Sequence, residues 1–249
     1  MKKLVSVLCV LSLLLLVPIT CLADDSIDVA ELGFSIKMPE DTYIITRNTD
    51  SSDSVWDSTN LDPKQFLPYM EKNNIYTIAY SKDLSYDIWV LGIQSNEYKE
   101  IYNMSQLKDE DLLKYISSLN STYEKQGLSI ENTIYKSYEY KFYSLSGSST
   151  PNKKTVYYHC YLTVVNGVGV MVYLHSYDGP LTEEHTASLK KVVDSLKFKE
   201  ILAAPASSAA GQAKASYNKV TVQRIGSLVF IGFVIYFIRR AKKDRQQYR

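Results

Sequence analysis

The sequence contains few of the residues that build metal sites and disulfides. It has three cysteines and three histidines, and because Cys9 and Cys21 lie in the first 23 residues, only Cys160 remains beyond them. A single cysteine excludes an internal disulfide, and the histidines are dispersed rather than spaced as zinc ligands. No glycine-rich phosphate loop, serine elbow or HExxH motif is present. We therefore expect no metal, no cofactor and a fold stabilised by its hydrophobic core.

Basic residues are also scarce through the middle of the chain. The whole sequence has a formal net charge of +1, but residues 24–200 hold 17 basic and 26 acidic side chains, a net charge of −9. Nucleic-acid binding requires a basic surface, so this balance argues against it. An acidic body favours basic partners, and it also keeps a domain soluble.

The N-terminus has the parts of a cleaved export signal. The basic pair Lys2-Lys3 precedes an apolar stretch at 4–17, and Cys21-Leu22-Ala23 places small residues where a signal peptidase cleaves. Residues 1–23 are therefore predicted to be a signal peptide.

Two alternatives to a cleaved signal remain open. An uncleaved membrane helix is disfavoured by Pro18 and by the polar pair Asp24-Asp25. A lipid attached to Cys21 is disfavoured because Thr20, rather than a very small residue, precedes the cysteine.

The C-terminus carries the second long apolar segment. Residues 220–238 are just long enough for a membrane helix, with Gln223 and Arg224 near one surface. The tail 239–249 has six basic residues and one acidic residue, which favours a cytoplasmic location. An interfacial helix is the alternative, but the apolar run has no polar face. The sequence thus predicts a single-pass protein of the cell membrane, of bacterial character, with its main domain outside the cytoplasm.

Between these ends, residues 24–200 are predicted to form one domain, followed by an Ala/Ser-rich linker at 201–219. Helices are predicted from Asp62-Pro63, from about 108 to 126, and from Thr182. Predicted strands cover 27–30, 34–38, 43–47, 75–80, 86–93, 134–145, 155–165 and 168–176. This order indicates an α+β domain with an antiparallel sheet flanked by helices.

One turn fixes a register. Asn166-Gly167 between two apolar runs is a strong hairpin signal, and a two-residue turn there pairs Val165 with Val168. Cys160 then lies opposite Tyr173.

Several short motifs resemble the PsbP-like superfamily. These are Leu32–Pro39, Val164–Gly167, Thr182–Glu184 and Val193–Phe198, whereas Asp41-Thr42-Tyr43 stands where the family usually has Gly-Trp. The resemblance implies a secreted α/β/α sandwich with an accessory role outside the cytoplasm. It implies no metal ligand and no photosynthetic role.

Cys160 and His175 are the sharpest chemical candidates. The predicted hairpin places His175 diagonal to Cys160 on the same face, within reach of a nucleophilic pair. The alternative is a buried cysteine beside a histidine at the end of a strand. The sequence shows no oxyanion loop and no third residue to orient the pair.

A polar loop at 48–62 holds the candidate binding residue Trp56, which could stack on a ligand or fold back onto the core. The loop is not an EF-hand, because counting from Asp50 places Val55 and Leu61 where glycine and glutamate are required.

Three functions follow from these observations. The first is a non-catalytic, membrane-anchored module that binds a protein, a wall component or a small ligand at the outer membrane face. The second is an extracytoplasmic enzyme that uses Cys160 and His175. The third is a structural subunit of a membrane complex, held through residues 220–238.

Overall fold

The computed structural model describes residues 25–113, 130–150 and 155–208. Within them the chain forms a seven-stranded antiparallel sheet and a small three-stranded sheet, with helices packed around them. This confirms the predicted α+β class. The strands are β1 (Ile27–Val29), β2 (Phe34–Ile36), β3 (Thr42–Thr46), β4 (Ile75–Ser81), β5 (Tyr86–Gln94), β6 (Ile130–Ser137), β7 (Tyr140–Ser149), β8 (Val156–Val165), β9 (Val168–Ser176) and β10 (Lys197–Phe198). The α-helices described at both ends are α1 (Val55–Thr59), α2 (Pro63–Lys72), α3 (Asn96–Ile101) and α4 (Glu183–Asp194).

The large sheet has the strand order β3-β4-β5-β9-β8-β7-β6. Its central hairpin has the predicted register, with Val165 opposite Val168 and Cys160 opposite Tyr173. Asn166 and Gly167 both adopt positive φ, 54° and 76°, which a two-residue hairpin turn of this kind requires.

The predicted strands at 27–30 and 34–38 form an N-terminal hairpin, β1 and β2, which joins β10 in the small sheet in the order β1-β2-β10. Gly33 ends the intervening 3₁₀ turn at φ 69°, a conformation that glycine adopts without strain. Strand β10 comes from the C-terminal end of the domain and pairs with β2. The first and last strands of the domain therefore belong to the same small sheet.

Hydrophobic side chains fill both faces of the large sheet. On the helical face, α1, α2, α3 and residue Leu112 pack against inward side chains of the sheet. On the hairpin face, the small sheet and α4 pack against the alternate side chains of the same strands. Two cores therefore share one sheet, and their central residues include Ile78, Trp89, Leu162 and Met171 on the helical face and Phe34, Ile88, Val172 and Leu189 on the hairpin face.

Two predicted helix starts are confirmed by their caps. The Asp62 side chain accepts a hydrogen bond from the Lys64 amide, with Pro63 at the first helical position. Thr182 caps α4 in the same way, through the amide of His185. Of the predicted helix at 108–126, residues 109–113 are helical and the remainder lies outside the described residues.

The prediction of one long strand at 134–145 is wrong. The chain reverses at Tyr138-Glu139, and β6 pairs with β7 with Ser137 opposite Tyr140. Tyr138 adopts a φ of 50° in this turn. The turn contains neither glycine nor asparagine, so the sequence pattern of alternating residues does not indicate it. Helices α1 and α3 were also not predicted.

The first residues of the predicted linker lie against the domain. Asn166 Nδ2 donates to the Glu200 carbonyl, and Asn166 Oδ1 accepts from the Leu202 amide, both at 2.8 Å. Asn103 Nδ2 donates to the Leu202 carbonyl at 2.9 Å. We call this arrangement the asparagine clamp.

The predicted signal peptide 1–23, membrane helix 220–238 and basic tail 239–249 lie outside the described residues. Among the helices that the structure does describe, none combines the length and the hydrophobicity needed to cross a membrane.

Candidate functional site

A buried polar cluster lies on the helical face, where β5 begins and β9 ends. The Asp87 carboxylate has no exposed surface and His175 is 3% exposed. His175 Nδ1 lies 2.7 Å from Asp87 Oδ1, and the Tyr177 hydroxyl donates to Asp87 Oδ2 at 2.6 Å. Both carboxylate oxygens of Asp87 therefore have a hydrogen-bond partner, as a buried charged group requires.

Strand register builds this cluster. Asp87 lies directly opposite His175 in the β5–β9 pairing, so their side chains leave the sheet on one face. The Trp89 ring meets the imidazole edge-on at 5.8 Å, and the Tyr173 ring lies parallel to it at 5.9 Å. These aromatic walls restrict the imidazole to one orientation.

Cys160 lies on the same face of the sheet, where its thiol contacts Tyr173. It is 2% exposed, and burial raises the pKa of its thiol well above the usual range, with a hydrogen bond to Tyr173 acting weakly in the other direction. A nucleophilic cysteine needs the opposite, a lowered pKa and solvent access. The predicted diagonal arrangement is therefore present, but the thiol contacts Tyr173 while His175 Nδ1 contacts Asp87.

The other two histidines serve local structure. His159 faces away from Cys160, with Nε2 2.8 Å from Ser144 Oγ, and burial lowers the pKa of His159 to about 4. His185 completes the α4 capping box, where its Nδ1 accepts from the Thr182 amide. Across residues 25–113, 130–150 and 155–208, no group of three or more His, Cys, Asp or Glu side chains could hold a metal ion.

Trp56 has folded back onto the core. It is 4% exposed within α1, its Nε1 donates to the Asp50 carbonyl at 2.7 Å, and its ring packs edge-on against Phe66. The buried ring offers no surface for stacking on a ligand. The Asp50 carboxylate accepts hydrogen bonds from the Ser52 amide and hydroxyl, which order the turn and lower the pKa of the carboxyl.

A pocket of about 150 Å³ lies between the N-terminal hairpin and the edge of the large sheet. Arg47 lines it, with its guanidinium 3.7 Å over the Tyr76 ring, Nε bonded to the Ile75 carbonyl and Nη1 3.3 Å from Glu31. Ligand sites typically occupy about 300–1,000 Å³, so this pocket is small for one. The Arg47–Glu31 ion pair joins the hairpin to the sheet, whereas the buried Arg47 Nη2 has no hydrogen-bond partner among the described residues.

Sequence reasoning missed Asp87 and Tyr177. The signal for Asp87 was available, since it is a lone carboxylate in the apolar strand 86–93, and a charge at such a position needs a buried partner. The identity of that partner depends on β5 pairing with β9, which no local pattern reveals.

Comparison with known proteins adds little to this site. No protein-family model matches the chain, and none of the curated proteins matches it in sequence. The solved structures that resemble it include a protein from Bacteroides thetaiotaomicron VPI-5482, at 10% identity and a TM-score of 0.40. That match covers 68% of this chain, which spans 46% of the length of the other protein.

Proposed function

We propose that this protein is a non-catalytic binding or accessory module with a PsbP-like domain, exported and held at the outer membrane face by residues 220–238. One observation carries the proposal: the side chains best suited to chemistry are built into the packing of the sheet. Cys160 is enclosed with a raised pKa, and His175 is fixed by Asp87.

A binding role also fits the charge of the domain. Residues 24–200 carry a net charge of −9, whereas the tail at 239–249 carries +5. The two regions therefore favour partners of opposite charge. Acidic surfaces attract basic partners and accelerate their approach. We expect a basic protein or wall component as the partner.

Photo-crosslinking of the membrane-anchored chain tests this function. A saturable crosslinked partner that is competed by free domain supports it. A matched variant carries an unrelated membrane helix in place of residues 220–238. Partner capture that survives the exchange assigns binding to the domain, whereas capture lost on exchange assigns it to the membrane segment and favours the structural-subunit function.

A second function is favoured by one contact. Asp87 supplies the orienting carboxylate that a cysteine–histidine enzyme uses, at 2.7 Å from His175 Nδ1. Cys160 would be its nucleophile, released by an opening of the helical face.

Thiol labelling of residues 24–208 separates the two functions. The control is Leu84→Cys, because Leu84 is 41% exposed at the β4–β5 turn. Labelling of Cys160 only after denaturation, while the control thiol reacts at once, supports the binding module. Labelling of Cys160 in the folded domain at a rate near that of the control supports the enzyme.

A further inference from the structure

We propose that one end of the large sheet rests on the lipid bilayer, with the tip of the β6–β7 hairpin in the headgroup region. The membrane-facing end is defined by the turns Tyr138-Glu139 and Asn166-Gly167 together with residues 199–202. The inference rests on the proposed function, because it requires the anchor at 220–238.

Both turns lie at the same end of the large sheet. Strands β7 and β8 pair antiparallel, with Tyr143 opposite Leu162. Tyr138-Glu139 comes before Tyr143 in the chain and Asn166-Gly167 comes after Leu162, so both turns project from the same end of this pair.

The chain leaves the domain at this same end. After β10, the Lys199 amide donates to the Gly33 carbonyl, and the asparagine clamp then holds Glu200 and Leu202 beside the Asn166-Gly167 turn. Asn103 is 2% exposed, and its Oδ1 also accepts from the Asn166 amide at 2.8 Å. The exit point is thus fixed by a hydrogen-bond network that is partly buried at Asn103 and exposed at Glu200 and Leu202.

Little chain separates this end from the predicted membrane helix. Ser208 is 3% exposed and held against the domain, and residues 209–219 then lead to position 220. Eleven residues reach at most about 40 Å when fully extended. Residues 203–219 separate Leu202 from the predicted membrane helix, so the membrane-facing end lies within reach of the bilayer.

Exposed apolar side chains collect at the membrane-facing end. The structure describes six exposed large hydrophobic residues, and three of them lie here: Tyr138 at 90%, Leu202 at 43% and Ile201 at 39% exposure. Tyr138 also holds φ 50°, an unfavourable conformation for a bulky residue, with its ring turned to solvent. Tyrosine is enriched at membrane interfaces, where its ring is apolar and its hydroxyl meets water.

Leu84 provides a matched control. It is an exposed hydrophobic residue at positive φ, 59°, in the turn between β4 and β5. That turn lies at the opposite end of the sheet, because Tyr86 pairs with Ser176 whereas Gln94 pairs with Val168. A lipid surface that contacts Tyr138 cannot contact Leu84 at the same time.

The test uses residues 24–249, the chain that remains once the predicted signal peptide is removed, in vesicles of phosphatidylethanolamine and phosphatidylglycerol that contain spin-labelled lipid. Tyr138→Cys and Leu84→Cys are made separately in this chain and labelled with one fluorophore, since Cys160, its one native cysteine, is buried. Flotation shows whether the chain is anchored, and circular dichroism shows that both variants are folded. We expect the lipid spin label to quench most of the fluorescence at 138 and almost none at 84.

Equal, weak quenching at both positions in a chain that floats with the vesicles overturns the inference and leaves the anchored module intact. Shielding of position 138 from aqueous iodide without lipid quenching also overturns it, because a protein surface then covers the hairpin tip. A chain that does not float overturns both the anchor and this inference.

Discussion

The imidazole of His175 and the carboxylate of Asp87 lie directly opposite each other on neighbouring strands, with Nδ1 and Oδ1 2.7 Å apart. We expect Asp87→Ala to lower the free energy of unfolding by about 3–5 kcal/mol, because it removes the buried carboxylate that contacts His175 Nδ1 and accepts a hydrogen bond from the Tyr177 hydroxyl. Urea unfolding of residues 24–208 measures the loss. Asp178→Ala is the control, an exposed carboxylate beside Tyr177, for which a change within about 0.5 kcal/mol is expected. Similar effects of the two substitutions would contradict a buried, hydrogen-bonded Asp87.

His159 should make stability dependent on pH. Burial lowers its pKa from 6.5 in a free side chain to about 4 in the fold. As the pH falls through this window, the unfolded chain binds a proton that the folded chain excludes, so the free energy of unfolding decreases by up to about 3 kcal/mol. Above pH 6.5 this contribution is constant.

Urea midpoints of wild type and His159→Gln at pH 7, 5 and 4 isolate this effect from the carboxylates. Glutamine keeps a polar group near Ser144 but does not titrate. We expect the wild type to lose more stability than the variant between pH 7 and 4, and parallel curves would refute the assignment.

Gly92 lies where Leu32, in the turn of the N-terminal hairpin, packs directly against the large sheet. A Cβ added there would lie 1.9 Å from Leu32 Cδ1 and 2.9 Å from Tyr76 Cε2. We expect Gly92→Ala to destabilise the domain by about 1–3 kcal/mol, although alanine is ordinarily the better strand residue.

A double-mutant cycle with Leu32→Ala checks the cause. Removing the clashing side chain should make the double variant more stable than the sum of the two single losses predicts. If the losses of stability from the two single substitutions simply add, the strain does not come from contact between residue 92 and Leu32.

The asparagine clamp should protect the start of the Ala-rich segment from proteolysis. We expect Asn103→Ala and Asn166→Gly each to accelerate elastase cleavage after the alanines at 203, 204 and 206, since each removes hydrogen bonds to the Leu202 backbone. Glycine at 166 keeps the positive φ of the turn available. Asn48→Ala, an exposed asparagine, is the control, and mass spectrometry locates the cuts. Unchanged cleavage in both clamp variants would show that packing alone holds the segment.

Local patterns in the sequence were sufficient for the central hairpin and for two helix starts. The turn Asn166-Gly167 specifies positive φ at both residues, and this sets the β8–β9 register that brings Cys160 opposite Tyr173. Asp62 and Thr182 specify their helices because a side-chain oxygen caps the first turn. Each of these features depends on residues only a few positions apart, so the sequence determined them by itself.

Tertiary structure decided the rest. Asp87 and His175 are 88 residues apart in the sequence, and their side chains are in contact only because β5 pairs with β9. The reversal at Tyr138 breaks an alternating pattern that by itself indicates one strand, since pairing between β6 and β7 outweighs the strain at one residue. The asparagine clamp likewise joins segments about a hundred residues apart. Periodicity and turn chemistry report on neighbours along the chain, whereas strand order and buried polar partners are set by which surfaces pack together.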